Sequence, residues 1–159
     1  MGWQIAHNEI YSEVPTVYGI AVQGWFGDLK TVENQVEFNT VSFTGTDIHG
    51  DRHVGMFLAG FGVVTEHNTL LNNRVIVDIT PPEGQETWWD YSVGIWLFDY
   101  DAYNHDAPVV VKRNRIVGNK FEAASPLVIQ PAELASVRYH NVISENLGDL
   151  RVNEKKLKK

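Results

Sequence analysis

The chain has 159 residues, no cysteine and a formal net charge of −7. This length suits one domain, and the lack of cysteine excludes disulfides, thiolate metal sites and a cysteine nucleophile. An acidic body repels a phosphate backbone, and no apolar run approaches the ~20 residues of a membrane span, so we expect neither nucleic acid nor a membrane as partner.

A six-residue pattern recurs along most of the chain: Asn, any residue, an apolar residue, any two residues, Asn. Its copies are 34–39, 68–73, 114–119 and 141–146, and residues 3–8 differ only in having Trp3 at the first position. Repeats of this size indicate stacked supersecondary units. Because Asn tolerates positive φ and its amide can bond to a stacked amide, the pattern predicts two short strands at a tight Asn bend. We expect Asn39, Asn73 and Asn119 to stack in the wall.

A strand with period-two alternation follows each bend. The copies are 18–23, 54–59 and 93–98, with a looser fourth at 125–130. One face of each copy is aliphatic or Met, so we expect Ile20, Met56, Ile95 and Leu127 to occupy equivalent inward positions. Each coil of chain therefore contains three short strands.

The C-terminal part of the chain adds two weaker features. Residues 131–138 could form one or two helical turns, with Pro131 at the first position. Four of the last five residues are lysines, which indicates a solvated tail over 151–159. No signal peptide is recognisable at the N-terminus. No capping helix precedes the first repeat, so the chain is either a piece of a longer solenoid or a short one that covers its ends by association.

The Asn-x-Ile-x-x-Asn bend and the Gly-Ile-x-Val strand, in phase over residues 3–148, resemble the right-handed parallel β-helix repeat family, which includes pectate-lyase-like and NosD-like proteins. The resemblance implies an all-β, right-handed parallel β-helix of about four to five coils over residues 1–150. It also suggests an extracellular or periplasmic location. Pro126 departs from the pattern by replacing the glycine. The alternative fold is an antiparallel sandwich, whose hairpins favour Asn-Gly or Asp-Gly turns, and neither dipeptide joins paired runs here.

The outward face of these strands is apolar where a solvated face should be polar. Phe57, Trp96 and Val128 would form one stripe across successive coils, which lie about 4.8 Å apart. Three interpretations remain open: the chain's own loop 78–92 covers the stripe, a second subunit covers it, or flat rings stack on sugars. The candidate ligand-binding residues are Phe57, Trp88, Trp89, Trp96, Phe98 and Tyr100.

Two polar clusters flank the stripe. In the lyases of the resembled family, aspartate-bound Ca²⁺ neutralises the uronate and an Arg or Lys acts as base. The resemblance therefore makes Asp51, Arg52 and His53 candidate catalytic residues and makes Asp99, Asp101 and Asp106 candidate Ca²⁺ ligands. The alternative for both clusters is a solvated loop, because Asp, Asn and His are common in turns. The same alternative, surface positions beside the bends, accounts for His7, His67 and His140.

The predicted function is a carbohydrate-interacting β-helix that binds or processes a polysaccharide. If the chain is an enzyme, the resemblance implies a polysaccharide lyase or a glycoside hydrolase. The alternative is a non-catalytic structural or assembly module whose aromatic stripe contacts another protein chain, as in a homo-oligomer. Fold alone does not decide between these functions.

Overall fold

The computed structural model describes residues 2–13, 18–25, 30–46, 53–80, 92–147 and 150–152. The strands in these ranges stack into a parallel β-helix. Every strand pair in these ranges is parallel. The all-β prediction is therefore confirmed, and the antiparallel sandwich is excluded.

Sheets A and B meet at the Asn bends. Sheet A contains the strands that lie between the two asparagines of each repeat: β1 Gln4–Ala6, β5 Gln35–Glu37, β9 Thr69–Leu71, β13 Arg115–Val117 and β16 Val142–Ser144. Sheet B contains the strands that follow the second asparagine: β2 Glu9–Ser12, β6 Thr40–Thr46, β10 Arg74–Thr80 and β14 Lys120–Ala123. We number layers 1 to 5 by the sheet A strand that each layer contains.

Sheets C and D complete each turn of the helix. Sheet C contains β3 Tyr18–Gly24, β7 His53–Gly60, β11 Ser92–Asp99, β15 Ser125–Gln130 and β17 Leu150–Val152. Sheet D contains β4 Thr31–Val32, β8 Thr65–Glu66 and β12 Val111–Lys112. The sequence predicts three strands per coil, and sheet D adds a fourth. Strands of two residues are too short to show a period, which is why the sequence does not reveal them.

Short helices occupy two connections. Helix α1, Tyr100–His105, follows β11 and was not predicted. The turns predicted over 131–138 are confirmed as two 3₁₀ helices, Ala132–Ala135 and Val137–Tyr139, although Pro131 is the N-cap and not the first helical residue. Strand β17 crosses the predicted domain boundary at residue 150, and residues 153–159 lie outside the described ranges. None of the helices in these ranges is long and apolar enough to cross a membrane.

The asparagines form two continuous ladders along the helix axis. In the second ladder, the backbone N and Nδ2 of Asn39 both donate to Asn73 Oδ1, each at 3.0 Å. Asn73 repeats this arrangement onto Asn119 Oδ1, at 3.0 and 2.9 Å. The three side chains are buried, so the predicted stack is confirmed. The first asparagines form the equivalent ladder through Asn34, Asn68, Asn114 and Asn141.

Positive φ falls on the residue before each ladder asparagine. We expected the asparagine itself to adopt it, and that expectation is wrong. The left-handed residues are Glu33, His67, Arg113 and His140 at the first bend, and His7, Phe38, Asn72, Gly118 and Glu145 at the second. The turn places these side chains at the bend and leaves the following asparagine to bond within the wall. His7, His67 and His140 are exposed bend residues, as the surface interpretation expects.

The core is built from matching rows of aliphatic residues. Ile20, Met56, Ile95 and Leu127 are register partners on β3, β7, β11 and β15, and all four are buried in the main core. This arrangement confirms the predicted inward row. Each residue buries its apolar surface against its counterparts in the layers above and below, which is the main favourable term for folding.

The glycine of each Gly-Ile-x-Val strand lies at the corner between sheets B and C. A Cβ on Gly55 would stand 2.1 Å from Val75 Cγ1 of β10, and one on Gly94 would stand 2.3 Å from the Pro126 carbonyl oxygen. The corner therefore has no room for a side chain. Val54 and Phe57 both reach the outer side of the sheet, where they pack in one cluster.

Candidate functional site

The predicted apolar stripe exists on the outer face of sheet C. Phe57 pairs in register with Ala21 and Trp96, and Trp96 pairs with Val128. Phe57 and Val128 are each 1% exposed and Trp96 is 9% exposed. The stripe is therefore covered within the single chain, as the self-covering alternative expects. Most of the loop predicted to cover it, 78–92, lies outside the described residues.

Aromatic contacts hold this outer cluster together. Tyr18 stacks on Phe57 with ring centroids 4.7 Å apart and an interplanar angle of 11°. Phe57 lies 5.0 Å from Trp96, and Trp96 lies 4.7 Å from Phe98. Trp96 Nε1 donates to Gln130 Oε1 at 3.1 Å, so the buried indole has a polar partner. The cluster is a second packed core on the outside of the helix wall.

A further aromatic row, Trp25, Phe61 and Tyr100, runs along the axis directly after strands β3, β7 and β11. Trp25 and Phe61 are stacked at 4.4 Å with an interplanar angle of 2°, and Phe61 lies 5.4 Å from Tyr100. Trp25 is 53% exposed, so one end of the aromatic row is accessible. The sequence prediction included Tyr100 and missed the other two. The signal was present, because each residue lies seven positions after the first residue of its strand motif.

One polar residue, Gln23, lies in the same layer as the exposed end of the aromatic row. By alternation along β3, Gln23 and Trp25 share the outer side. A cavity of about 330 Å³ between layers 1 and 2 is lined by Gln23, Lys30 and Thr31 together with the core-facing Ile5 and Val22, and Trp25 is not among its lining residues. Binding sites for small molecules commonly combine an apolar or aromatic surface with a few such polar groups.

Asp99 holds together the two ends of the segment between β11 and β12, residues 100–110, which carries Tyr100. Its Oδ1 accepts a hydrogen bond from Ala102 N at 3.1 Å and caps α1, and its Oδ2 accepts from Val110 N at 2.7 Å and Val111 N at 3.0 Å. The residue is 0% exposed. One carboxylate thus ties the start of the segment between β11 and β12 to its end, and the bonds from three backbone N–H groups satisfy its buried oxygens.

The structure does not bring the predicted Ca²⁺ ligands together. Asp99 directs both oxygens at backbone N–H groups, Asp101 lies in the first turn of α1, and Asp106 is the exposed left-handed residue that ends the helix. Across the described ranges, no group of three His, Cys, Asp or Glu side chains could hold a metal ion. The short helix α1, which the sequence pattern did not indicate, contains Asp101 and ends at Asp106. The Ca²⁺ assignment stays a prediction.

Of the predicted catalytic residues, the structure describes one. His53 begins β7, pairs in register with Ser92, and is 1% exposed, which makes it a wall residue. Asp51 and Arg52 lie outside the described residues, as do the predicted ligand residues Trp88 and Trp89. The catalytic assignment stays a prediction.

Comparison with protein-family models, curated proteins and solved structures found no match. The parallel β-helix architecture therefore stands on the strand pairing and the Asn ladders of this chain.

Proposed function

We propose that this chain is a carbohydrate-interacting β-helix protein, akin to the pectate-lyase-like and NosD-like repeat proteins, and that it binds a polysaccharide along the aromatic row. The observation that carries the proposal is the parallel, stacked Trp25–Phe61 pair, whose outer member Trp25 is half exposed. Aromatic faces combine a large apolar surface with a fixed geometry. They therefore suit the apolar faces of sugar rings.

The direction of the aromatic row favours a polymer over a single sugar. Its rings belong to successive layers, so it runs parallel to the helix axis. A linear glycan that stacks on the outer face of Trp25 and continues along the axis would contact the edges of the other rings in the row. Linked contacts of this kind raise overall affinity without new types of interaction. Gln23, which shares the outer side of β3 with Trp25, would then supply hydrogen bonds to hydroxyl groups.

Titration of the wild-type chain against a panel of polysaccharides tests this proposal, with Trp25→Ala as the informative variant. We expect Trp25→Ala to weaken binding about tenfold, the typical effect of removing a central aromatic contact. Tyr11→Ala is the matched control, because Tyr11 is an exposed aromatic of the same layer on sheet B. A wild type that binds no polysaccharide, or a Trp25→Ala variant that binds as well as wild type, contradicts the proposal.

The second candidate function is a non-catalytic structural or assembly module. It is favoured by the burial of Phe57, Trp96 and Phe98, which makes these rings part of the wall. A module of this kind would contact protein through other surfaces. Absence of any glycan binding, together with self-association in solution, would support it over the first candidate.

A further inference from the structure

The outer side of sheet A and its two flanking bends form one continuous surface, which we call the bend face. It consists of the outward residues of sheet A and the left-handed residues of both bends, all of which the structure describes. The outward rows are Gln4, Gln35, Thr69, Arg115 and Val142, and Ala6, Glu37, Leu71, Val117 and Ser144. The bend face does not include the aromatic row.

Charge is segregated along the bend face. Layer 2 carries Glu33 and Glu37. In layer 4 the charged residues of the bend face are two cations, Arg113 and Arg115, and Lys112 and Lys120 of the adjoining strands flank them. The adjoining strand of layer 3 contributes Glu66, whose Oε2 lies 3.1 Å from Arg113 Nη1. The Arg113 side chain is still 51% exposed, so it can meet a further carboxylate.

We propose that the bend face binds a second copy of this chain in an antiparallel, two-fold symmetric dimer. The two-fold axis runs along β9 of layer 3, parallel to the strands. This symmetry inverts the helix axis and keeps the position along each strand. Layer 2 of one copy therefore lies over layer 4 of the other, and the contact occurs twice, as an isologous interface requires.

The symmetry matches opposite charges. Glu33 of one copy faces Arg113 of the second copy, because both occupy the left-handed position of the first bend. At the second bend, His7 of layer 1 faces Glu145 of layer 5. A parallel arrangement would instead place each acidic layer over its own like charges, which costs energy.

The symmetry also matches shapes. The exposed ring of Phe38 in layer 2 faces Gly118 in layer 4, which adds no side chain of its own, so the ring meets the Asn72 side chain of layer 3 that covers this glycine. A groove of about 490 Å³ in layers 1 to 3 is lined in part by Trp3, Gln4 and Gln35. The exposed Val142 of layer 5 lies over this groove in the second copy. The apolar contacts complement the charge pairs.

The area of the bend face limits the expected affinity of the dimer. Five strands about 4.8 Å apart and about six residues from bend to bend give on the order of 400 Å² per copy. Stable complexes bury about 800 Å² per partner. The dimer should therefore be weak, in rapid exchange with the monomer, and sensitive to salt, since exposed charges drive its orientation.

A charge exchange tests the pairing. Sedimentation velocity should show wild-type self-association at about 0.01 M salt that is lost at about 1 M salt, where the Debye length falls to ~3 Å. Arg113→Glu and Glu33→Lys should each weaken self-association about tenfold or more. An equimolar mixture of the two variants should restore it, because both contacts in the mixed dimer then pair opposite charges. Circular dichroism of each variant verifies that it folds.

A single introduced cysteine tests the axis. The natural chain has no cysteine, so Thr69→Cys, which places a thiol on the two-fold axis, can cross-link only to its own copy. Asp78→Cys is the control, because Asp78 is an exposed layer 3 residue on sheet B. A short bifunctional thiol reagent should cross-link Thr69→Cys and leave Asp78→Cys monomeric at low salt.

Restored association in the mixture and selective cross-linking at position 69 would establish the dimer. The proposal is overturned if the wild type stays monomeric at low salt and high concentration. It is equally overturned if each charge variant associates as well as wild type, if mixing restores nothing, or if the control position cross-links as well. Glycan binding through Trp25 is unaffected by any of these results, so the two proposals fail separately.

Discussion

Asn73 shows how much of the wall depends on one side chain. Its backbone N and Nδ2 donate to Asn119 Oδ1, its Nδ2 also donates to the Val36 carbonyl, and its Oδ1 accepts two bonds from Asn39. All of these groups are buried. Removing the side chain would leave the backbone N of Asn39 without its acceptor. It would also take one hydrogen bond from Asn39 Nδ2, which keeps its bond to the Ile5 carbonyl, and one from the Val36 carbonyl.

We therefore predict that Asn73→Ala lowers the free energy of unfolding by about 1–3 kcal/mol, the cost of unsatisfied buried polar groups. Equilibrium urea denaturation measures the change. The neighbouring Asn72→Gly is the control, because Asn72 supplies only the exposed left-handed residue of the same bend. Its effect should stay within about 0.5 kcal/mol. Equal losses in the two variants would mean that the turn, and not the ladder, is what matters.

Asp99 is the second residue on which several buried hydrogen bonds depend. Asp99→Asn keeps the shape and removes the charge, so the three N–H groups lose a charged acceptor. We predict a loss of about 1–3 kcal/mol in the free energy of unfolding and faster hydrogen exchange at Val110 and Val111. The control Asp78→Asn, at an exposed position of β10, should change neither quantity measurably. If hydrogen exchange at Val110 and Val111 is unchanged in Asp99→Asn, other contacts hold the segment 100–110 in place.

At the scale of elements, the corner between sheets B and C explains why glycine precedes the aliphatic residue in three of four strands. The fourth strand has Pro126 at this position, and its carbonyl oxygen fills the space beside Gly94. The corner thus fixes how closely two sheets approach. Its geometry, and not backbone flexibility, selects the residue.

Gly55→Ala tests the corner directly. The added methyl would overlap Val75 Cγ1, and we predict a loss of about 1–3 kcal/mol from overpacking. The double variant with Val75→Ala should recover part of this loss, although Val75→Ala alone should destabilise by opening a cavity. Thermal or urea unfolding of the wild type, the two single variants and the double variant completes this double-mutant cycle. Strictly additive losses would show that the two sites do not meet.

The inward and outward positions of most strands could be predicted from the sequence, because equivalent positions in successive layers must meet the same packing requirement. The row Ile20, Met56, Ile95 and Leu127 is confirmed for this reason. The left-handed bend residue could not be found in the same way. It is His, Phe, Asn, Arg, Gly or Glu in different copies, so no shared residue type marks it. The left-handed backbone conformation repeats at these positions, but the side-chain type does not.

At the scale of the whole molecule, the candidate site was harder to predict than the fold. The sequence places Phe57, Trp96 and Phe98 on the outer face correctly, but alternation cannot say whether other parts of the chain cover that face. Coverage depends on loops that differ in length between layers, and one of them contains α1. The aromatic row was missed because Trp25 and Phe61 follow their strands and so fall outside the periodic segment.

Both Asn ladders have a direction. At each step of both ladders in the described residues, the donor belongs to the lower-numbered layer and the accepting Oδ1 to the next layer. The side-chain amide dipoles therefore point the same way and add along the axis, with their negative ends toward layer 1. The acidic layer 2 and the basic layer 4 contribute in the same sense. The molecule thus has an electric polarity along its length, so it should align in an external field or before a charged surface, and an antiparallel pair of copies would cancel that polarity.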